Sequence, residues 1–319
     1  MSIRVALLGR GMAGTVFHAP LIRAVPELEL AAVVGAADAA AAIASPGIDL
    51  VVVATPNASH FALAAAALEA GKHVVVDKPF ALSLAEADSL IALAAAKARL
   101  LTVFHNRRWD GDFLTVRRLI ESGRLGEILH FEACWDRLRP VPKAGWRERP
   151  GEGTGLLWDL GPHLIDQALL LFGRPDRVVG DVAVQREAAG VDDYFALTLH
   201  YGARRVLLAA SSLIGTPRPR FAAYGLRSSY IKYGLDPQER QLNDGIAPVS
   251  PGFGAENPAL RGNITNISGP SEAIPTLPGR YLAFYEAVAA AISERGPPPV
   301  DPADAREGLR IIRLARSAA

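Results

Sequence analysis

Five short apolar segments, each followed by a helical pattern, constrain the fold of this chain more than any other feature. They occupy residues 3–8, 28–34, 50–54, 73–76 and 100–104. Strands that are apolar on both faces and alternate with helices are typical of a parallel sheet covered by helices on both sides. The pattern therefore predicts an α/β fold whose N-terminal part is a doubly wound parallel sheet of the Rossmann class.

The segment between the second and third predicted strands is short. Only residues 35–49 lie there. A complete half of a doubly wound sheet would normally place a crossover helix and another strand here, and the crossover alone takes about 10–12 residues or more. The alanine-rich run 36–43 predicts two helical turns and little else. We therefore expect a sheet that is shortened at this edge.

After a helix predicted at 112–122, the pattern changes to longer, partly alternating segments. Strands are expected at 128–137, 177–186, 194–201 and 204–214, a helix at 162–172, an irregular excursion at 238–278, and helices at 281–295 and 301–317. This predicts an α+β domain with a large open, mostly antiparallel sheet. We expect a Rossmann domain at 1–122 and a substrate-binding and oligomerisation domain at 123–319. The C-terminal helices, 281–317, are expected to pack back.

Composition excludes several functional classes. The chain has 319 residues, a net charge of +1 and 7% aromatic residues, so it is long enough for two cores and has no basic excess for nucleic acid. No secretory signal or membrane-spanning run is evident, which predicts a cytoplasmic protein. The single cysteine, Cys134, lies in a predicted strand and is expected to be a buried apolar residue. No metal-ligand spacing is present, so no metal is expected.

The motif Gly9-x-Gly11-x-x-Gly14 follows the first strand and opens a helix. Glycines at these positions allow a tight turn and a close approach of the backbone to a pyrophosphate, which then meets the helix N-terminus. A plain strand-to-helix turn is the simpler alternative, but the context favours a dinucleotide site. The backbone of the whole loop, including Met12 and Ala13, is expected to bind the cofactor.

The second strand ends in Val34-Gly35-Ala36-Ala37-Asp38. An acid at this tip would bind the ribose hydroxyls of NAD, and basic residues would hold the 2′-phosphate of NADP. Neither is present at the tip, and Asp38 lies further along the chain. The absence of the acid tilts the prediction towards NADP, but NAD stays open.

Polar residues follow the next strands at the same edge. Thr55-Pro56-Asn57 follows the third strand and is expected to form the opposite rim of the cofactor crevice, although a proline turn with a helix cap would give the same pattern. His60, in the first turn of the next helix, is a further candidate for cofactor binding, and its alternative is to face solvent. Asp77 and Lys78 follow the fourth strand. An ammonium at a strand's carboxyl end can bind a substrate hydroxyl and help to move its proton.

Asp159 and His163 are four residues apart, which places them on one face if this segment is helical. Because proline is tolerated only in the first turn, Pro162 predicts a helix that begins near this point. Asp159 would then orient His163, which accepts the hydroxyl proton. The simpler alternative is a capping aspartate beside a core histidine. The stretch 151–155, which is rich in glycine, favours a ligand pocket instead.

Two further groups are candidates for ligand contacts. Asn106 and Arg107 follow the fifth strand, and Trp146 and Arg147 lie in a loop rich in proline and glycine. Contacts with a polyol, a nicotinamide or a phosphate would suit their positions, although the arginines at 107 and 108 would also suit a solvated surface patch.

As a set, the glycine motif, Asp77-Lys78-Pro79 and Asp159-x-Gly161-x-His163 resemble the Gfo/Idh/MocA oxidoreductases. The sequences VFHAP (16–20), FHNRRWD (104–110) and WDLGPH (158–163) resemble the branch that contains NADP-dependent scyllo-inositol dehydrogenases. The resemblance implies Lys78, Asp159 and His163 as the catalytic set, with His163 as general base. It implies that Asn106 and Arg107 lie beside the nicotinamide and that the loop of Trp146 and Arg147 reaches the cofactor. In the short segment 35–49, the chain lacks the Ser-Arg pair that the family uses for the 2′-phosphate.

These observations predict an NAD(P)-dependent dehydrogenase acting on a secondary alcohol of a cyclitol or sugar, and a homodimer or homotetramer. Lys78, Arg107, Trp146, Arg147, Asp159 and His163 are the expected substrate contacts. One alternative is a catalytically silent nucleotide-binding sensor or scaffold of the same fold. Another is an enzyme that retains its nicotinamide and catalyses isomerisation or hydrolysis without net redox change.

Overall fold

The computed structural model describes residues 2–187 and 189–317. Its strands are β1 (Ile3–Leu8), β2 (Leu28–Val34), β3 (Leu50–Val53), β4 (His73–Asp77), β5 (Leu101–Phe104), β6 (Ile128–Asp136), β7 (Arg177–Ala183), β8 (Tyr194–Tyr201), β9 (Arg204–Ser211), β10 (Phe221–Gly225), β11 (Ser228–Lys232), β12 (Gly262–Asn266) and β13 (Glu272–Ile274). Its helices are α1 (Ala19–Arg23), α2 (Ala39–Ala44), α3 (His60–Glu69), α4 (Leu84–Lys97), α5 (Gly111–Glu121), α6 (Leu156–Phe172), α7 (Gln238–Asn243), α8 (Leu282–Glu294) and α9 (Pro302–Ser317). Among the described residues, no helix combines the length and apolar character needed to cross a membrane.

The chain divides into two compact units, each of which consists of three segments that are separate along the chain. Unit 1 consists of the residues up to Trp109 together with Gln238–Phe253 and Arg280–Leu309. Unit 2 consists of Asp110–Pro237, Gly254–Gly279 and the chain from Arg310 onwards. The first boundary therefore falls after Trp109, whereas the sequence predicted it after residue 122. Helix α8 and the first half of α9, up to Leu309, belong to unit 1, and the second half of α9 belongs to unit 2.

Unit 1 contains a parallel five-stranded sheet in the order β2-β1-β3-β4-β5. Its middle strand, β3, is inaccessible to solvent on both faces along its whole length, as expected for a continuous apolar segment. The strand order reverses between β1 and β3. After β1 the chain continues to β2 at one edge of the sheet, and after β3 it continues to β4 and β5 towards the other edge. In doubly wound sheets, ligands bind outside the carboxyl ends of the strands at such a point.

The connection between β2 and β3, at one edge of this sheet, is short. Between β2 and β3 the chain forms only a 3₁₀ turn, Ala36–Asp38, and the six-residue helix α2, and β2 is the edge strand. The buried Lys72 donates from Nζ to the carbonyl oxygens of Ser45 and Ile48, both at 2.8 Å. Its ammonium thereby satisfies backbone groups that follow α2 and fixes the shortened connection to the rest of the sheet.

Unit 2 contains an eight-stranded sheet in the order β13-β12-β11-β10-β6-β9-β8-β7. The pair β6 and β9 is parallel, and the other neighbours are antiparallel. Helix α6 packs against β6, β8 and β9. The fold class predicted from the sequence, a Rossmann sheet with a second, largely antiparallel sheet, is confirmed.

The prediction of an irregular excursion over residues 238–278 is wrong in part. The segment contains α7 and the two strands β12 and β13, which extend the large sheet. The hairpin of β10 and β11 was not predicted either. These strands are only three to five residues long and include glycine, serine and asparagine. Their pairing along the sheet, rather than their local propensity, makes them strands.

Candidate functional site

The glycine motif after β1 brings two loops of unit 1 into close contact. Gly9 has a φ of +127°, and a Cβ there would lie 2.2 Å from the carbonyl oxygen of Ala54, just after β3. A Cβ on Gly14 would lie 2.2 Å from the carbonyl oxygen of Gly9. Both positions therefore exclude any side chain, as the motif requires for a tight turn and close packing.

Gly11 differs from its two neighbours in the motif. A Cβ built on Gly11 has no atom within 4 Å, so its backbone faces open space. The helical segment that follows begins with a π-helical turn, Ala13–His18, in place of the regular helix predicted from residue 14. Thr15 donates to the carbonyl oxygen of Gly11 from both its amide nitrogen and its hydroxyl, each at 3.0 Å. Two excluded side chains and one open glycine at a helix start fit the phosphates of a dinucleotide.

The loop also carries a charge to the tip of β2. The Arg10 Nη2 atom lies 3.4 Å from the carbonyl oxygen of Val33 and 3.9 Å from Oδ2 of Asp38. No arginine near this tip was predicted from the sequence, because Arg10 belongs to the loop after a different strand. Its place inside the glycine motif, beside the tip of a neighbouring parallel strand, was the signal that could have identified it.

The turn after β3 forms the next part of the same edge. The hydroxyls of Thr55 and Ser59 are 2.7 Å apart, and the Ser59 hydroxyl donates to the carbonyl oxygen of Pro56 at 2.8 Å. Pro56 is exposed, whereas Asn57 is buried with 8% of its surface accessible. The predicted rim residues therefore stand at the carboxyl end of β3, and Thr55 is already fixed by Ser59.

His60 is buried rather than open to a ligand. Only 1% of its surface is accessible, and its Nδ1 and Nε2 atoms lie 2.8 and 2.9 Å from the carbonyl oxygens of Pro79 and Thr55. Burial lowers the pKa of His60, against the charge of Asp77 and the two carbonyl contacts, which raise it. The ring therefore connects the turn after β3 to the loop after β4.

The loop after β4 carries Asp77 and Lys78. The Asp77 carboxylate accepts a hydrogen bond from the backbone nitrogen of Lys78 at 2.9 Å, and its Oδ1 lies 3.8 Å from Nε2 of the inaccessible His18. The other His18 ring nitrogen, Nδ1, lies 2.6 Å from the hydroxyl of Tyr285. The Asp77 carboxylate thus fixes the backbone of Lys78, the predicted catalytic lysine, through this hydrogen bond.

The charges around Asp77 outweigh its burial. Burial by itself raises the pKa of this carboxyl, but the adjacent His18 ring, with Lys78 and His60, holds the pKa below its ordinary value. The pKa of the buried Tyr285 hydroxyl is raised well above its ordinary value, first by burial and then by the charge of Asp77. Asp77 is therefore a stable negative charge beside Lys78.

Asn106 and Arg107 follow β5 in a 3₁₀ turn and are each 5% accessible. Arg107 donates from Nη1 to the hydroxyl of Tyr281 at 2.6 Å, and its Nη2 forms an ion pair with Glu239 of α7. The guanidinium thus joins the end of β5 to two segments that lie more than a hundred residues away in the chain. These contacts within unit 1 were not predicted.

In unit 2, helix α6 begins at Leu156, and the prediction that it starts near Pro162 is wrong. Pro162 lies inside the helix, where Asp159 occupies the first turn and His163 the second. Asp192 stabilises the earlier start: its backbone carbonyl accepts from the nitrogen of Leu156 at 2.8 Å, and its carboxylate accepts from the nitrogen of Leu157 at 2.7 Å. Because this cap lies 35 residues away, the local sequence does not reveal it.

The predicted pair on α6 has different surroundings for its two members. His163 is 6% accessible, with its ring 5.9 Å from that of Trp135. The Asp159 carboxylate lies between two guanidinium groups, 3.9 Å from Nη1 of Arg137 and 3.6 Å from Nε of Arg147. The position of Arg137 beside Asp159 was not predicted. Two guanidinium groups therefore approach the Asp159 carboxylate from within unit 2.

The loop with Trp146 and Arg147 is attached to the same unit. The guanidinium carbon of Arg147 lies 4.6 Å from the centre of the Trp146 ring, a cation–π contact. The next residue, Glu148, pairs with the buried Arg186 at 2.7 Å, which in turn pairs with Asp193 at 2.7 Å. Among the described residues, no group of three or more His, Cys, Asp or Glu side chains is arranged to hold a metal ion.

Comparison with known proteins agrees with this geometry. Residues 3–105 match the model of the Gfo/Idh/MocA oxidoreductase family that is described as its NAD-binding Rossmann fold. Residues 117–319 match the model described as the C-terminal alpha/beta domain of the same family. The two matches together cover both sheets.

Similar proteins match over nearly their whole length. The uncharacterized oxidoreductase YdgJ of Escherichia coli is 43% identical, over 98% of this chain and 95% of its own. The scyllo-inositol 2-dehydrogenase (NADP(+)) IolW of Bacillus subtilis is 39% identical, over 99% of this chain and 93% of its own. A solved structure, described as that of the putative oxidoreductase yvaA from Bacillus subtilis, has a TM-score of 0.95 at 38% identity, covering 99% of this chain and 96% of that one.

Proposed function

Because the chain belongs to the Gfo/Idh/MocA oxidoreductase family, whose relatives include a dehydrogenase acting on a CH–OH group, we propose that it oxidises a secondary hydroxyl of a cyclitol or a related sugar. The observation that carries the proposal is the position of Lys78. It stands at the carboxyl end of β4, on the same edge of the parallel sheet as the glycine motif after β1. The 39% identity to the inositol dehydrogenase IolW, over almost the whole chain, supports the cyclitol class.

In this proposal the protein's own groups bind the hydroxyl and move its proton. The Lys78 ammonium donates a hydrogen bond to the substrate oxygen and stabilises negative charge on it. His163 accepts the hydroxyl proton as general base. The Asp159 carboxylate, which lies between Arg137 and Arg147, orients His163 and stabilises its imidazolium form. The nicotinamide, when bound, supplies the two-electron acceptor.

The remaining assignments follow the same reasoning. We assign cofactor contacts to the backbone from Gly9 to Gly14, to the rim at Thr55, Pro56 and Asn57, and to Asn106. Trp146 and Arg147 are proposed as substrate contacts, because an aromatic face and a guanidinium both suit a polyol. Arg107 and His60, which are buried, are assigned the task of positioning their neighbours rather than contacting the ligand. The cytoplasmic location expected from the sequence also belongs to this proposal.

We further propose that the protein forms a homodimer or homotetramer through the open face of its large sheet. One face packs against α6, while exposed apolar side chains such as Val179 and Tyr224 lie along the strands. Multi-angle light scattering of the purified protein tests this. A single monomeric species at micromolar concentration would contradict it.

The catalytic proposal is tested with the purified protein, NAD⁺ or NADP⁺, and a panel of inositols and aldoses. We expect the absorbance of reduced nicotinamide to rise with at least one cyclitol. Lys78→Ala is expected to lower kcat/KM by about 10²-fold or more, because general acid–base and electrostatic contributions are of that size. Lys97→Ala removes an equivalent charge from the end of α4 and serves as the control.

The outcomes separate the alternatives. Turnover that is unchanged in Lys78→Ala would contradict the assigned mechanism. Nucleotide binding without turnover of any polyol would favour the silent sensor or scaffold. Conversion of a sugar without net formation of reduced nicotinamide would indicate the isomerase or hydrolase alternative.

A further inference from the structure

Arg10 lies between Gly9 and Gly11 of the glycine motif. Its side chain reaches from the loop after β1 to the end of β2. Gly9 donates a backbone hydrogen bond to the carbonyl oxygen of Val34 at 2.9 Å, which fixes the loop against the end of β2. From there the Arg10 guanidinium reaches the carbonyl oxygen of Val33 and the carboxylate of Asp38. The loop after β1 thus places a positive charge at the tip of β2.

The tip of β2 has room for an additional group. A Cβ on Gly35, the first residue after the strand, has no atom within 4 Å, and the next two residues are alanines. In doubly wound sheets, this tip selects between the two dinucleotides: an acid binds the ribose hydroxyls of NAD, and an arginine accommodates the 2′-phosphate of NADP. Here one residue of each kind is present, Asp38 and Arg10.

We propose that Arg10 binds the 2′-phosphate of NADP and gives this protein its preference for NADP over NAD. This inference rests on the proposed function, because it assumes that the crevice binds a nicotinamide dinucleotide. The short segment after β2, residues 35–49, contains no lysine or arginine. In this inference the positive charge comes from the loop after β1 instead.

The existing contact of Arg10 does not compete strongly with a phosphate. The Arg10 and Asp38 side chains are 64% and 62% exposed and their charged atoms are 3.9 Å apart, and exposed ion pairs of this kind contribute little. A phosphate, in contrast, accepts two parallel N–H bonds from the planar guanidinium and carries a larger charge. Arg10 would therefore exchange Asp38 for the 2′-phosphate, and Asp38 would weaken the preference rather than reverse it.

The test measures dissociation constants, which do not depend on turnover. Binding of NADPH and of NADH is followed by quenching of tryptophan fluorescence in the wild type, Arg10→Leu, Arg10→Lys, Asp38→Asn and the control Arg23→Leu, an exposed arginine at the end of α1. Thermal unfolding of each variant checks that it is folded.

We expect the wild type to bind NADPH about 10- to 100-fold more tightly than NADH, the size of a charged hydrogen-bonded contact. Arg10→Leu should lose this factor for NADPH and leave NADH within about twofold, while Arg10→Lys keeps part of it. Asp38→Asn should strengthen NADPH binding, because it removes a negative charge beside the phosphate. Arg23→Leu should leave both constants unchanged.

Three results would overturn the inference. Equal binding of both nucleotides by the wild type would remove the preference. An equal loss for both in Arg10→Leu would indicate a contact with the shared pyrophosphate. Loss of NADH binding in Asp38→Asn, with no gain for NADPH, would assign the tip to the ribose of NAD.

The failure of this inference is distinguishable from that of the proposed function. A wild type that binds neither nucleotide contradicts both. A wild type that prefers NADPH through Arg10 but oxidises no polyol contradicts only the proposed substrate, and one that oxidises a cyclitol with either cofactor equally well contradicts only the role of Arg10.

Discussion

The Nδ1 atom of His60 lies 2.8 Å from the carbonyl oxygen of Pro79, the residue that follows the predicted catalytic lysine. The other nitrogen of the same ring lies 2.9 Å from the carbonyl oxygen of Thr55. One buried side chain therefore sets the distance between the turn after β3 and the loop after β4. The backbone at Lys78 depends on this ring from one side and on the carboxylate of Asp77 from the other.

We expect His60→Phe to weaken cofactor binding about tenfold and to lower kcat, because it keeps a planar aromatic ring but removes both polar contacts. The free energy of unfolding should fall by about 1–3 kcal/mol, the cost of leaving buried carbonyls without partners. His73→Phe is the matched control, since His73 Nδ1 accepts a hydrogen bond from Leu100 at the opposite end of β4. Fluorescence titration and urea unfolding measure both effects. If the two variants lost stability equally and neither changed cofactor binding, His60 would have a purely structural role.

Gly9 and Gly11 are expected to respond differently to the same substitution. In Gly9→Ala the new Cβ would meet the Ala54 carbonyl at 2.2 Å with φ at +127°, so the variant should lose about 3 kcal/mol of stability or fail to fold. In Gly11→Ala the Cβ enters open space, so thermal stability should stay within a few degrees of the wild type while the dissociation constant for the nucleotide rises. A Gly11→Ala protein that binds nucleotide normally would show that the phosphates do not approach this residue.

The depressed pKa of Asp77 predicts a contribution to stability that depends on pH. A carboxyl whose pKa is lower in the folded protein than in the unfolded chain stabilises the fold above the unfolded value, about 3.9, and the contribution disappears as the pH falls through the folded value. The stability difference between wild type and Asp77→Asn should therefore be largest near neutral pH and shrink below about pH 4. Urea unfolding at several pH values measures it, with the exposed Glu294→Gln as control. A difference that stays constant down to pH 3 would contradict the assignment.

Cys134 is expected to be unreactive in the folded protein. It is 5% accessible, and burial raises the pKa of its thiol to about 11, so the reactive thiolate is scarce at neutral pH. Labelling with a maleimide at pH 7 should be slow in native protein and complete in denaturant, with Cys134→Ser as the blank. Rapid labelling of the native protein would show that the strand β6 opens.

Local interactions made much of unit 1 predictable. A capping box at Ser83 and Glu86 begins α4: Glu86 donates its backbone nitrogen to the Ser83 hydroxyl at 3.1 Å, and its carboxylate accepts from the Ser83 nitrogen at 3.1 Å. These partners are three residues apart, so the sequence contains the whole interaction. The apolar strands, the glycine motif and the short segment between β2 and β3 were predictable because each lies in a contiguous stretch of sequence.

The parts that the sequence did not reveal depend on partners that are distant along the chain. The start of α6 depends on Asp192, the contacts of Arg107 on Glu239 and Tyr281, and the position of the Arg10 guanidinium on which strand lies beside β1. By itself, then, the sequence determined the class of fold, the family resemblance and the identity of the candidate catalytic residues, because these reside in contiguous motifs. Only the tertiary structure decided which buried side chains hold those residues in place and which charge reaches the tip of β2, because contacts between distant segments form only when the sheets assemble.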